Sequence, residues 1–101
     1  MSDADAGPDP DPGHCRADVW LWRARFFKTR SLAGRFVEEG RIRLTRAGAE
    51  SRVDKPSRGL RVGDGLVFAI GGRIISVRVV GFGERRGPAS EARELYEAVE
   101  N

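Results

Sequence analysis

Residues 16–88 hold 17 basic side chains against 7 acidic ones, a surplus of ten positive charges within a chain whose overall formal charge is +3. All but Lys28 and Lys55 of those basic residues are arginine. An arginine fork presents planar N–H donors that match a carboxylate or a phosphate two at a time. So dense a block on one domain is the footprint of a polyanion binder. Arg16, Lys28, Arg30, Arg35, Arg41 and Arg43 fall within one short stretch and are the first candidates to grip phosphates. Catalysis finds no comparable set. Asp18 has no second carboxylate, histidine or activated nucleophile in its motif, so it reads as a partner that orients an arginine. His14 and Cys15 are adjacent with no further ligands in range, which makes a poor metal site, and no cofactor is expected. Gly63-Asp64-Gly65 and Gly71-Gly72 lack the spacing of a phosphate loop and read as turns.

The elements that must carry these cations follow from hydrophobic period. Over residues 16–28, Ala17, Trp20, Leu21, Ala24 and Phe27 fall on one helical stripe, which leaves Trp22 and Phe26 facing outward, where they can stack on bases or pack under the end of the chain. Thr29 suits an N-cap, and residues 30–39 form a second helix with Leu32, Ala33, Phe36 and Val37 inward and Gly40 ending it in a left-handed cap. Two helices joined by so short a break pair tightly and bring Arg16, Lys28, Arg30 and Arg35 onto adjoining surfaces. After Gly40 the period becomes 2. Ile42 and Leu44 alternate with Arg41, Arg43 and Thr45, a half-buried strand with a basic outer row. Residues 50–58 read as an irregular return, residues 66–70 as an apolar strand, Gly71-Gly72 as a hairpin turn and residues 73–82 as the returning strand. The basic 84–88 loop, with Arg85 and Arg86, either grips RNA or stays solvated. Ser90 caps a last helix with Ala92, Leu95, Tyr96 and Val99 on its buried stripe and an acidic outer face.

Residues 1–15 form an acidic tail with Asp3, Asp5, Asp9 and Asp11 and no Lys or Arg. Its composition predicts disorder, and it is either an inert solubilising segment or a weak mimic of phosphate for the basic face. The remainder, residues 16–101, is one domain. The longest nearly uncharged run, residues 63–72, falls far short of the ~20 residues that span a membrane. A lone cysteine fits a reducing compartment, so a cytoplasmic protein with no membrane partner is expected.

The series Arg16-x-Asp18-x-x-Leu21, Lys28-Thr29-Arg30-x-x-Ala33 and Val37-x-x-Gly40-Arg41-Ile42-Arg43-Leu44 resembles the S4-type RNA-binding domain, the alpha-L motif. Trp20-Leu21-Trp22, Lys55-Pro56-Ser57 and residues 85–92 extend the likeness, over residues 16–97, to the ribosome-associated heat shock protein 15 family. The resemblance implies an α+β fold, with two packed N-terminal helices on a small, mostly antiparallel sheet and a C-terminal helix. It implies a non-enzymatic protein that binds ribosomal RNA on a large ribosomal subunit carrying a stalled peptidyl-tRNA, with direct contact to the tRNA left open, and helps recycle it. Arg16, Lys28, Thr29 and Arg30 match the family's RNA-facing positions; Arg35, Arg41, Arg43, Lys55 and Arg58 extend them. Nonspecific binding of single-stranded nucleic acid, RNA or DNA, fits the same surface, and nothing demands more than a monomer. Two features depart from the pattern: Ala17 replaces a leucine, and residues 46–52 stand as a longer stretch where an Asn-Gly turn is usual. Two other readings stay open, an RNA-binding accessory subunit of an RNA-modifying enzyme and a protein-interaction adapter built on the acidic tail and last helix.

Overall fold

The change of hydrophobic period at Gly40 separates a helical layer from a sheet in the computed structural model, which describes residues 13–99. The elements in chain order are β1 (Cys15–Arg16), α1 (Ala17–Arg23), α2 (Arg30–Glu38), β2 (Ile42–Arg46), β3 (Ala49–Val53), β4 (Gly59–Leu60), β5 (Gly65–Ile70), β6 (Arg73–Val79), a single turn α3 (Ala89–Ala92) continued by a 3-10 turn (Arg93–Leu95), and β7 (Tyr96–Ala98). Five strands form one antiparallel sheet in the order β3-β2-β5-β6-β7, and β1 pairs with β4 in a second, two-stranded one. This is the α+β arrangement that the sequence leads one to expect. Among the described residues no helix is long and apolar enough to cross a membrane.

The core lies between the helical pair and one face of the sheet. Trp20, Leu21, Ala33 and Val37 from the helices meet Ile42, Leu44, Val53, Leu66, Phe68, Val77 and Val79 from the strands, all buried. The Trp20 indole N–H, which burial would otherwise leave without water, donates to the Gly81 carbonyl at 2.8 Å. Phe26 is not turned out to solvent: it is half-buried, with its ring 5.4 Å from that of Phe68 and 4.9 Å from that of Tyr96.

Several boundaries differ from the sequence reading, each for a local reason. Helix α1 stops at Arg23 instead of running to residue 28. Arg25 takes φ 68, its N–H donates to the Trp22 carbonyl and that of Phe26 to the Leu21 carbonyl, both at 3.0 Å. This is a Schellman cap with arginine where glycine is usual. In α2 the buried residues are Ala33, Gly34 and Val37, while Leu32 is 45% exposed, so the packed stripe is rotated toward Gly34, where a Cβ would lie 3.7 Å from the Pro56 ring. Ala47 and Gly48, with φ 53 and 81, make a two-residue turn between the paired Arg46 and Ala49. Both values fit a type I′ hairpin, so the turn is no longer than an Asn-Gly one, and residues 49–53 are a regular strand. The C-terminal helix is reduced to one turn and a 3-10 turn. Tyr96 and Ala98 pair instead with Val79 and Val77 on the open edge of β6, and Glu97 and Glu91 meet Arg78 and Arg85. Among the described residues the expected long acidic helix is therefore absent, and Glu91 and Glu94 lie in its two short turns.

The acidic tail falls outside the described residues as far as residue 12. Its expected last residue, Cys15, is a buried strand residue opposite Leu60, and His14 accepts a hydrogen bond from Arg61 at 2.8 Å.

Candidate nucleic-acid interface

Three of the predicted phosphate-gripping residues converge. Arg16, Arg30 and Arg35, together with Asp18, Gly34 and Pro56, line an open cleft of about 610 Å³ between the start of α1, one side of α2 and the loop before β4. Asp18 organises it. This carboxylate, with a side chain only 9% exposed, accepts from Arg16 Nε and Nη2 at 3.1 Å each and has Arg30 Nη2 at 3.6 Å. One buried anion therefore binds the Arg16 guanidinium and keeps that of Arg30 within ion-pair distance, both on residues that line the cleft, a grouping suited to a second oxyanion such as a phosphate.

The Lys55-Pro56-Ser57 segment is built into the same corner by its backbone. The Ala17 N–H donates to the Arg58 carbonyl at 2.9 Å and the Asp18 N–H to the Pro56 carbonyl at 3.1 Å. These are first-turn donors with no acceptor inside α1. Arg58 in turn closes a tight turn on the Lys55 carbonyl at 2.9 Å. The N-terminus of α1 is thus occupied by the protein itself and is not a phosphate site. At α2 the Leu32 N–H donates to the Thr29 hydroxyl at 3.0 Å, so Thr29 caps the helix. Two more donors without an intrahelical acceptor, the N–H groups of Arg30 and Ser31, belong to residues that line the cleft.

The other predicted residues are dispersed around this centre. Lys28 is exposed in the segment leading to α2, and exposed Lys55 and half-exposed Arg58 flank Pro56. Arg41 lies beyond the far end of α2, with its guanidinium 5.0 Å from the Phe36 ring centre and 3.0 Å from Glu39. Arg43 projects from the face of β2 opposite the buried Ile42 and Leu44 and sits 3.6 Å from Glu50. The expected single surface reaching from the helices to β2 is therefore a compact cleft with two outlying arginines.

Other arginines hold the fold together, which sequence spacing does not reveal. Arg25 Nε donates to the Gly87 carbonyl at 2.8 Å, Arg23 Nη1 to that of Gly83 at 2.9 Å, and Arg86 to those of Trp22 and Phe27 at 3.1 and 3.4 Å. The basic 84–88 loop is tied to α1 and its exit by these bonds. Arg46 makes two 2.8 Å hydrogen bonds to Asp64, which is 1% exposed and also accepts from the Arg61 N–H at 2.8 Å. The hydrogen bond to Asp64 raises the pKa of Arg46 above its ordinary value, so it stays charged.

The S4 domain family model matches residues 15–44, the segment that supplies α1, α2 and most of β2. Heat shock protein 15 of Escherichia coli K12 is 42% identical over 82 residues, which cover 81% of this chain and 58% of that protein. The homolog from Haemophilus influenzae is 34% identical over 86 residues, 85% of this chain and 62% of the relative. The chain thus spans only about three-fifths of the length of these curated relatives. Heat shock protein 15 of Vibrio cholerae, solved as a trimer, superposes with a TM-score of 0.73 at 34% identity, over 85% of this chain and 82% of the solved one. With its motif residues gathered at the Asp18 cleft and that identity spread over most of the solved relative, this chain belongs to the heat shock protein 15 family of S4-domain proteins.

Proposed function

We propose that this protein binds structured RNA, without catalysing a reaction, through the cleft of Arg16, Arg30 and Arg35. The observation that carries the reading is the pair of guanidinium groups held on the buried Asp18 at 3.1 and 3.6 Å, on the wall of an open cleft. Such an array recognises phosphate spacing and helix shape more than base identity. Lys28, Thr29, Lys55 and Arg58 border the cleft in sequence and extend its reach along a backbone; Arg41 and Arg43 touch RNA only if it wraps past the end of α2.

The partner in this reading is ribosomal RNA on a large ribosomal subunit that carries a stalled peptidyl-tRNA, and the protein's role is to help recycle that subunit. Family membership supports this partner. Sedimentation of a lysate tests it: the protein is expected to travel with free large subunits and to crosslink to their RNA through the cleft. Protein that stays at the top of the gradient at low salt would falsify the ribosomal reading. The related Vibrio protein is described as a trimer, whereas the sequence demands no more than a monomer, and sedimentation of the purified chain decides whether one cleft or three act together.

A further inference from the structure

We propose that Phe36, Arg41 and Glu39, at the end of α2 away from Thr29, form a subsite for one unpaired base of the RNA held in the Asp18 cleft, and that it favours a base bearing an amino group. This deepens the RNA reading above and rests on it. The left-handed turn at Gly40, φ 71, closes α2 and returns Arg41 beside its last turn, where the guanidinium carbon stands 5.0 Å from the Phe36 ring centre. The ring beneath is braced, with the Phe27 ring 5.1 Å and the Phe68 ring 6.0 Å away. The Arg41 side chain stays 55% exposed, while its Nη1 donates to Glu39 Oε1 at 3.0 Å. A guanidinium held over a ring and tied at one edge to a carboxylate keeps its other face for a ligand, and unpaired bases stack on such planes.

Charge at this end of α2 selects a base over a phosphate. Its last carbonyls carry the negative end of the helix dipole, and the exposed Glu38 and Glu39 add two carboxylates. A phosphate is repelled there, whereas a neutral base is not. Glu39 binds Arg41 through Oε1, and its Oε2 accepts no hydrogen bond among the described residues. A carboxylate oxygen accepts from the exocyclic amino group of cytosine, where uracil offers only another acceptor.

The apolar surface leading to this point has no role in the fold. Leu32 is 45% exposed, and among the described residues no other large apolar side chain of α1 or α2 is counted with the exposed ones. It lies four residues from Phe36 and three from Arg35, spacings that make neighbours on a helix surface. Arg35 lines the cleft. A continuous strip therefore runs from the cleft across Arg35 and Leu32 to Phe36, over a helix ~10–12 Å wide. A strand gripped in the cleft reaches Arg41 by crossing it, with Leu32 against its sugars and bases.

The test titrates the full chain at low salt with single-stranded oligocytidylate, oligouridylate and inorganic polyphosphate of matched charge. The native chain is expected to bind the cytidylate ~5-fold or more tightly than the uridylate, the low end of a base-edge contact. Arg41→Lys keeps the charge and loses the plane. It is expected to lose ~5-fold or more on the cytidylate and to bind polyphosphate as the native chain does. Phe36→Leu, which keeps an apolar side chain beside Phe68, is expected to repeat that pattern. Glu39→Ala is expected to bring the cytidylate-to-uridylate ratio toward one, and its effect on net charge cancels in that ratio. Full cytidylate affinity in Arg41→Lys overturns the subsite and leaves the cleft standing. An equal loss on polyphosphate overturns it too, by marking Arg41 as a phosphate contact, and a native ratio near one overturns the preference for an amino group. A native chain that binds neither oligonucleotide nor any structured RNA takes down the RNA reading, and the subsite with it.

Discussion

Asp18 and Arg16 face each other end on, Nε to Oδ1 and Nη2 to Oδ2 at 3.1 Å each. An acid at the centre of a proposed polyanion site is paradoxical by charge alone, since its removal adds one positive charge. Its burial and its second contact, to Arg30 at 3.6 Å, make it a positioning residue. Asp18→Asn is therefore expected to weaken RNA binding by about 1–2 kcal/mol despite the more favourable net charge, with circular dichroism confirming that the variant folds. Equal or tighter binding by folded Asp18→Asn would remove that role.

Arg30 and Arg35 are exposed members of the cleft, and their loss leaves the core intact. Arg30→Ala and Arg35→Ala are each expected to lower affinity across many RNA sequences and to reduce the salt slope by about 1, with thermal unfolding unchanged. Arg43→Ala serves as the comparison, because Arg43 lies across the sheet beside Glu50 at 3.6 Å. Its effect on affinity is expected to be the smallest of the three, and an effect equal to that of Arg35→Ala would enlarge the footprint to the outer sheet.

A count of arginines overstates the phosphates they neutralise, since Arg23, Arg25, Arg46 and Arg86 bond carbonyls or Asp64 inside the fold. With Arg16, Arg30, Arg35, Lys28, Lys55 and Arg58 as the contacts, log K is expected to fall against log salt with a slope of roughly −4 to −5. A slope near −7 in a filter-binding titration would bring the dispersed cations back into the interface.

Asp64 is the acid on which the β2–β5 corner depends, accepting three hydrogen bonds of 2.8 Å. Asp64→Ala leaves Arg46 only the Gly59 carbonyl at 3.1 Å and is expected to cost about 3 kcal/mol, a fall of ~12 to 24 °C in Tm for a domain of this size. The raised pKa of Arg46 means that its contribution is fully present below its ordinary value and lost only as pH climbs through the higher folded one. The native pair therefore contributes equally throughout the neutral range. An unchanged Tm in calorimetry would show the corner to be dispensable.

Arg25 combines a strained backbone, φ 68, with a hydrogen bond to Gly87. Arg25→Gly removes both, whereas Arg25→Ala removes the bond and keeps the strain. The glycine variant is expected to be more stable than the alanine variant by about 1 kcal/mol, measured by denaturant unfolding. The reverse order would mean that the left-handed cap at residue 25 is not retained.

What was legible in the sequence was local. Trp20 and Leu21 at helical spacing, Thr29 as a cap with its bond to Leu32, Gly40 at φ 71 and Gly71-Gly72 at φ 59 and 80 each declare themselves within a few residues. The cleft was legible in its arginines but not in its extent. Arg43 alternates onto the far side of a strand whose inner residues are Ile42 and Leu44, and the α1 donors are closed by a loop some forty residues further on. The end of α1 was hidden because Arg25 is held by Gly87, 62 residues away. Tyr96 misled for a related reason: its spacing from Ala92 suits a helix, but the open edge of β6 offers unpaired backbone groups that a strand satisfies.

The hydrogen bond from the Trp20 indole to Gly81 has a consequence for the order in which the fold is completed. Synthesis delivers the cleft arginines first, but the tryptophan at the centre of α1 is anchored only after residue 81 has been made. A nascent copy halted before that point carries Asp18 and its arginines with Trp20 still unanchored. The helical layer is therefore fully tied down only once residue 81 has joined the fold.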